Sequence, residues 1–319
     1  TWRCGSTDDR SRCPREPAVP RHLTSGPIAR APYLMTDAST VLELSSGPLR
    51  LALRPDLGGA IAGLWRDDLP VLRGGDAAAL ESSLQAGAFV MAPYSNRIGP
   101  GRFRWHGRDH ALRLNTPGSP YPMHGPAWQR PWRVRGAESH RAELELEHRA
   151  DDDWPFDFHL AQRLVLSPTA LELHLVLTNT GEQPAPAGLG WMPRFPKRAR
   201  SRLHAEVAQR WETGPDQLPT RRVVHSGIDG DVAHLAFDHC FEGWTGAARL
   251  RDEKLSLRLT SSLPYLVVCT PADADHYCVE PVSHVSNALH MAEPAAHGMC
   301  TLEARQSLEA WVRLDIGAI

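Results

Sequence analysis

Several familiar chemistries are absent from this 319-residue chain. It has no G-x-x-x-x-G-K-[ST] phosphate loop, no strand-turn-helix G-x-G-x-x-G, no H-E-x-x-H and no G-x-S-x-G elbow. Those motifs supply a backbone phosphate cradle, a dinucleotide turn, two zinc ligands on one helix face and a strained nucleophilic serine. The 16 histidines are scattered without metal-ligand spacing, so no metal site is expected. No apolar run is long enough to span a bilayer, and the N-terminus carries no apolar signal core. Neither a membrane partner nor secretion is therefore expected. No basic block or aromatic-basic stripe marks a nucleic-acid face, and the formal net charge is only −2. A neutral or weakly charged small ligand fits this balance better than a polyanion. The six cysteines, Cys4, Cys13, Cys240, Cys269, Cys278 and Cys300, include no C-x-x-C pair. Four lie in apolar or aromatic surroundings and read as small core residues of a reducing, cytoplasmic protein, with disulfides the alternative.

Long helical windows are missing too, and what stands in their place is a period of two. In RAELELEHR, Ala142, Leu144 and Leu146 fall on one face and Glu143, Glu145 and Glu147 on the other. LELHLVL repeats this with Leu171, Leu173, Leu175 and Leu177. Similar signals recur every 8–15 residues, separated by Gly, Pro, Asn and Asp. Only the segment near 76–91 admits a helix. The fold class is all-β, with two large antiparallel sheets packed face to face. Residues 36–319 contain no linker and read as one domain. Residues 1–35 are dense in Arg, Pro and Ser without periodicity, and are expected to be a disordered leader, an upstream extension or a cloning remnant.

Five polar stretches interrupt the strands. EPVSHVSNA, Glu280 to Ala288, begins with a carboxylate before a proline. Proline disfavours helix for the residue before it, so Glu280 is expected at the end of the apolar strand that feeds it. Partial burial there would raise its pKa and suit it to be a general base; the alternative is a strand-end salt bridge. APYSNRIGPGRF offers Asn96 and the rigid donor fork of Arg97, either for vicinal hydroxyls or for a surface ion pair. YPMHGPAW carries His124, either a ligand or a turn histidine, beside Gly125, which permits close backbone approach. GLGWMPRFP, Gly188 to Pro196, reads as a Gly/Pro-rich corner. FDHCFEGWTG holds Asp238 as a hydroxyl acceptor and Trp244 as a stacking face or a core residue.

In order and spacing these stretches resemble the aldose 1-epimerase (galactose mutarotase) family, over about residues 41–315. The resemblance implies a large β-sandwich, the galactose mutarotase-like supersandwich, without a cofactor. It implies an isomerase that interconverts the α and β anomers of a free monosaccharide. Glu280 would take the proton of the anomeric hydroxyl, and Asn96, Arg97, His124 and Asp238 would hold the sugar. One position departs from the pattern. Where the family reads Gly-x-x-His-Pro-Tyr-Phe, with the histidine as general acid, this chain has Gly190-Trp191-Met192-Pro193-Arg194-Phe195. Met192 has no titratable proton, so the general-acid position is vacant. The expectation is therefore an epimerase impaired at that step. The alternatives are a non-catalytic sugar-binding protein and a hexose-phosphate 1-epimerase with Arg97 and Arg194 on the phosphate.

Overall fold

The computed structural model describes residues 41–319. The expectation for residues 1–35 lies outside the described residues. An eleven-stranded sheet runs from Leu42–Ser46 at one edge to Pro219–Val224 at the other. Its centre is, in spatial order, Ala88–Met91, Gly190–Pro196, His276–Val282 and Tyr265–Cys269. A nine-stranded sheet runs from Ile228–Asp231 to Arg133–Glu138, with Ser307–Ala318 between Leu255–Ser261 and Ala170–Asn179. Neighbouring strands pair antiparallel.

The period-two reading holds in the nine-stranded sheet. Leu171, Leu173, Leu175 and Leu177 are each 1% exposed, while Glu172, His174 and Val176 between them are half-buried. The buried set packs against residues of the other sheet such as Leu51, Val90, Phe195 and Val279. Each such aliphatic side chain removed from water contributes about 1.5–3 kcal/mol, and this shared layer holds the two sheets together.

The eleven-stranded sheet is buried on both faces at its centre. Ala60–Arg66 and Gly190–Pro196 are buried at every position but the last, and His276–Val282 at every position but the first. Three expectations need correction here. The 76–91 window is not a helix. It forms two single 3₁₀ turns, Ala77–Ala79 and Ser83–Gln85, followed by the strand Ala88–Met91. Asp76 and Ser82 cap those turns by accepting from the N–H groups of Ala78 and Leu84, and each turn ends at once in extended backbone. GLGWMPRFP is not a corner, because Gly190–Pro196 is a central strand. Glu280 is not the last residue of its strand, which runs on through Pro281 to Val282. Proline can sit in these central strands because the ladder between them is open there. Gly190 pairs with Val282 and Arg194 with Cys278, and no pairing joins the residues between. Counting along that register puts Met192 directly opposite Glu280.

Candidate active site

The second buried face of the eleven-stranded sheet carries the site. Side chains alternate faces along a strand, so the registers assign two rows to this face. One row reads Phe89, Met192, Glu280, Val267, Cys240; the next reads Arg194, Cys278, Cys269, Asp238. Phe89, Met192, Val267, Cys240 and Cys278 belong to one apolar cluster with Trp128, Trp211, Val282 and Val285. Glu280 is thus a carboxyl in an apolar floor, 3% exposed. Burial pushes its pKa up to about 8 and the Asp238 carboxylate adds to this. Arg194, Arg97 and a hydrogen bond from the Cys278 thiol pull the other way.

Three loops cover this floor and pin one another. His124 and Asn96 exchange two bonds: the His124 N–H donates to the Asn96 carbonyl at 2.9 Å, and the Asn96 N–H donates to His124 Nδ1 at 3.0 Å. Nδ1 is therefore the acceptor, and the ring carries its proton on Nε2. His124 is buried, and burial with the nearby Arg97 and Arg194 cations drives its pKa down to about 3. It is a neutral donor, not an acid. Gly125, at φ +67°, is required at its position because a Cβ there would lie 2.0 Å from the Ala92 carbonyl oxygen.

The chain leaving Glu280 secures the second loop. His284 Nε2 accepts from the Ser95 N–H at 3.0 Å while Nδ1 donates to the Val285 carbonyl at 2.8 Å. Burial lowers the His284 pKa to about 4, so it too stays neutral. The Ser286 hydroxyl donates to Asn96 Oδ1 at 3.0 Å, and Asn287 Oδ1 accepts from the Gly99 N–H at 3.1 Å. Asn96 Oδ1 also accepts from Arg97, at 2.9 Å from its backbone and 3.2 Å from Nη1. Arg97 reaches Asp238 at 4.0 Å, its Nε has no partner among the described residues, and Asp238 is half-exposed at the rim. Glu280, Asn96, Arg97, His124 and Asp238 thus converge. Trp244 does not join them; it lies in the core between the sheets, its Nε1 bonded to the Ala247 carbonyl.

Other residues at this face escaped the sequence reading of the site. Cys278 is two residues before Glu280, and period two alone could have placed it beside the carboxyl. Cys269 and Cys240 needed the register. Both are free thiols, as is Cys278. Burial pushes Cys269 up to about 12 and Cys240 and Cys278 higher, so these thiols remain protonated and unreactive. Among the described residues no three His, Cys, Asp or Glu are grouped to hold a metal. A groove of about 390 Å³ flanks Arg97 between the segments 117–120 and 215–217. A larger one, about 630 Å³, lies elsewhere beside Glu147 and Arg305. Its charges already pair, Arg149 with Asp157 and Arg305 with Glu182, so we assign the chemistry to the Glu280 face.

A sequence model of the aldose 1-epimerase family matches residues 40–315. The chain belongs to the aldose 1-epimerase family. An uncharacterised Escherichia coli K12 relative of this family member, YphB, is 29% identical over 273 residues, covering 80% of this chain and 91% of the relative. A crystal structure of a candidate aldose 1-epimerase from Escherichia coli K12 superposes with a TM-score of 0.79 at 26% identity, covering 88% of this chain and 99% of that one. A galactose mutarotase-like protein from Clostridium acetobutylicum gives 0.76 at 17% identity, over 88% and 95% of the two chains. The galactose 1-epimerase of Lactobacillus acidophilus NCFM gives 0.72 at 14%, over 90% and 97%. The last two likenesses speak to the fold alone. The expected all-β, galactose mutarotase-like architecture is the one found.

Proposed function

We propose that this epimerase-family protein interconverts the α and β anomers of a free aldose, with Glu280 as the base. One observation carries the reading: a carboxyl buried in an apolar floor, with its pKa near 8, is ringed by sugar-sized hydrogen-bonding groups. A base works best when its pKa lies near working pH. At pH 7 about a tenth of such carboxyls are ionised, and each is a far stronger base than an exposed glutamate. In this reading the Arg97 fork, the neutral His124 Nε2–H and the Asp238 carboxylate hold ring hydroxyls. Glu280 removes the O1 proton, the C1–O5 bond opens to the aldehyde, C1 turns, and closure returns the proton to O1. The setting proposed is the cytoplasm. The free thiols support it, and no helix among the described residues is long and apolar enough to cross a membrane.

Met192 favours a second reading, a sugar-binding protein without turnover, since methionine supplies no proton across from the base. Polarimetry or NMR exchange on fresh α-D-glucose and α-D-galactose separates the two. Accelerated anomer exchange supports the epimerase. Sugar binding with exchange at the spontaneous rate supports the binding protein.

A further inference from the structure

We propose that Arg194 is a catalytic residue: its guanidinium holds the negative charge that develops on the ring oxygen as Glu280 opens the sugar, in place of a titratable acid. The inference rests on the anomerase reading above. Arg194 lies on the Glu280 face, opposite Cys278 and one side-chain step along from Met192. Such a step is about 6.5–7 Å, within the reach of an arginine. The side chain turns back along it, bringing Nη2 to 3.6 Å from Met192 Sδ. The guanidinium therefore touches the side chain that faces Glu280, near enough for the two charged groups to shift one another. Nη1 donates to the Ala86 carbonyl at 2.9 Å and weakly to the Ser83 carbonyl at 3.4 Å, and the guanidinium carbon sits 5.1 Å from the centre of the Phe89 ring. These contacts fix the fork before any ligand arrives.

Arg194 is only 6% exposed, yet no carboxylate of the described residues lies within 4.0 Å of it. A buried cation with no carboxylate at ion-pair distance is costly, and a carbonyl pin for the Ser83–Ala86 turn does not require a charge. Among the described residues its Nε–H and one Nη2 proton have no acceptor, and the third contact is to a thioether, a weak acceptor that a sugar oxygen readily replaces.

The step balances without a proton donor. The Glu280 carboxylate takes the O1 proton, the O1–H electrons form the carbonyl, and the C1–O5 pair leaves on O5. Arg194 N–H groups hold that alkoxide while C1 rotates. The O5 pair then attacks the other face of the carbonyl, and O1 takes its proton back from Glu280. This is charge stabilisation by a preorganised donor, for which removing one donor costs about 10²–10³ in rate. Arg194 also accounts for the missing histidine, because a permanent cation beside position 192 would hold an imidazole neutral and useless as an acid.

The wild-type pH profile tests this without any variant. The groups facing Glu280 are Asp238, Arg97, Arg194, His124, Cys278, Cys269 and Cys240. Burial lowers Arg194 from its usual value, but a guanidinium starts so high that it stays charged; burial lowers His124 to about 3 and pushes Cys269 up to about 12 and Cys278 and Cys240 further. Anomer exchange, followed by NMR at enzyme saturation, should rise as Glu280 ionises around pH 8 and stay level to pH 10. A titratable acid would instead give a bell with a falling limb. Arg194→Met should lower kcat about 100-fold or more with KM changed less than about threefold, and Arg194→Lys should recover part of the loss. A falling limb below pH 10, or a loss confined to KM, overturns the role of Arg194. Unchanged kcat in folded Arg194→Met does the same while leaving the anomerase reading intact. Wild type without exchange overturns both. If Arg194→Met fails to fold, the wild-type profile and Arg194→Lys decide.

Discussion

The two sheets use the same strands for different ends. In the nine-stranded sheet each strand shows one face to the core and one to water, and its outer face carries ion pairs such as Arg313 with Glu172 and Asp315. In the centre of the eleven-stranded sheet both faces are buried, the second one under loops rather than under another sheet. Charge on the first sheet is cheap, because water solvates it and exposed pairs contribute at most about 1 kcal/mol. Charge on the second is costly. There burial drives Glu280 towards neutrality and pulls the Arg194 pKa down from its usual value. The difference teaches that the second buried face, not a loop rim, is where this fold can hold a carboxyl at a useful pKa.

Glu280→Gln should have the largest effect. Glutamine keeps the size but takes no proton at neutral pH, so exchange should fall by about 10²–10⁴, or roughly 3–5 kcal/mol of barrier. Sugar binding, followed by ligand-observed NMR, should persist. Wild-type exchange in this variant would remove Glu280 from the mechanism.

The sheets can next be compared by giving each a new carboxylate. Val267→Glu puts a second acid opposite Glu280 and should cost about 3 kcal/mol or more in denaturant unfolding. Val176→Glu, on the outer face of the other sheet, should stay within about 0.5 kcal/mol. Equal costs would mean the two outer faces do not differ as described.

The same contrast predicts a pH-dependent gain from Glu280→Gln. The folded carboxyl titrates near 8 against an ordinary value of 4.5. Between these values only the unfolded chain releases the proton, so wild-type stability falls as pH rises. Below 4.5 both states hold it and the penalty vanishes; above 8 the penalty is complete, on the order of a few kcal/mol. Melting temperatures of variant and wild type should coincide near pH 4 and separate steadily towards pH 8. A constant gap would show that Glu280 titrates normally.

Met192→His should have the smallest catalytic effect. Arg194 beside it holds the new imidazole neutral, so exchange should change less than about threefold. A gain of about tenfold that falls away as pH rises would show an imidazole working as an acid beside Arg194 and would count against the role given to Arg194. In the double variant with Arg194→Tyr the imidazole is free to protonate and should recover part of the exchange lost in Arg194→Tyr alone; no recovery, with sugar binding retained, would mean that position 192 does not reach the ring oxygen.

The contrast also explains which parts were legible in the sequence. Alternation is printed in strands such as Ala170–Asn179, because one face meets water. Strands buried on both sides lose that alternation, and with two prolines Gly190–Pro196 reads as a corner. Glu280 stood out as a carboxylate in an apolar run, and His124 and Asn96 as polar residues in Gly/Pro-rich turns. Arg194 entered the pocket only through the resemblance, as a phosphate ligand, and not as a residue on the Glu280 face. Its place depends on pairing between residues more than 80 positions apart, and no local pattern records such a register. The 76–91 window misled because alanine favours a helix, whereas Asp76 and Ser82 each spend their side chain on a single turn.

The segment that follows Glu280 has a further consequence for motion. Ser283, His284, Ser286 and Asn287 each accept or donate a bond from the neighbouring loops, including those from the amides of Leu189, Ser95 and Gly99. Opening any of these loops therefore strains the strand that bears the carboxyl. In native-state hydrogen exchange the amides of Ser95, Asn96, Gly99 and Leu189 should be released together, with one opening free energy, although Leu189 lies on a different loop from the other three. The pocket should breathe as one piece. A ligand that orders any part of it should slow exchange at all four amides.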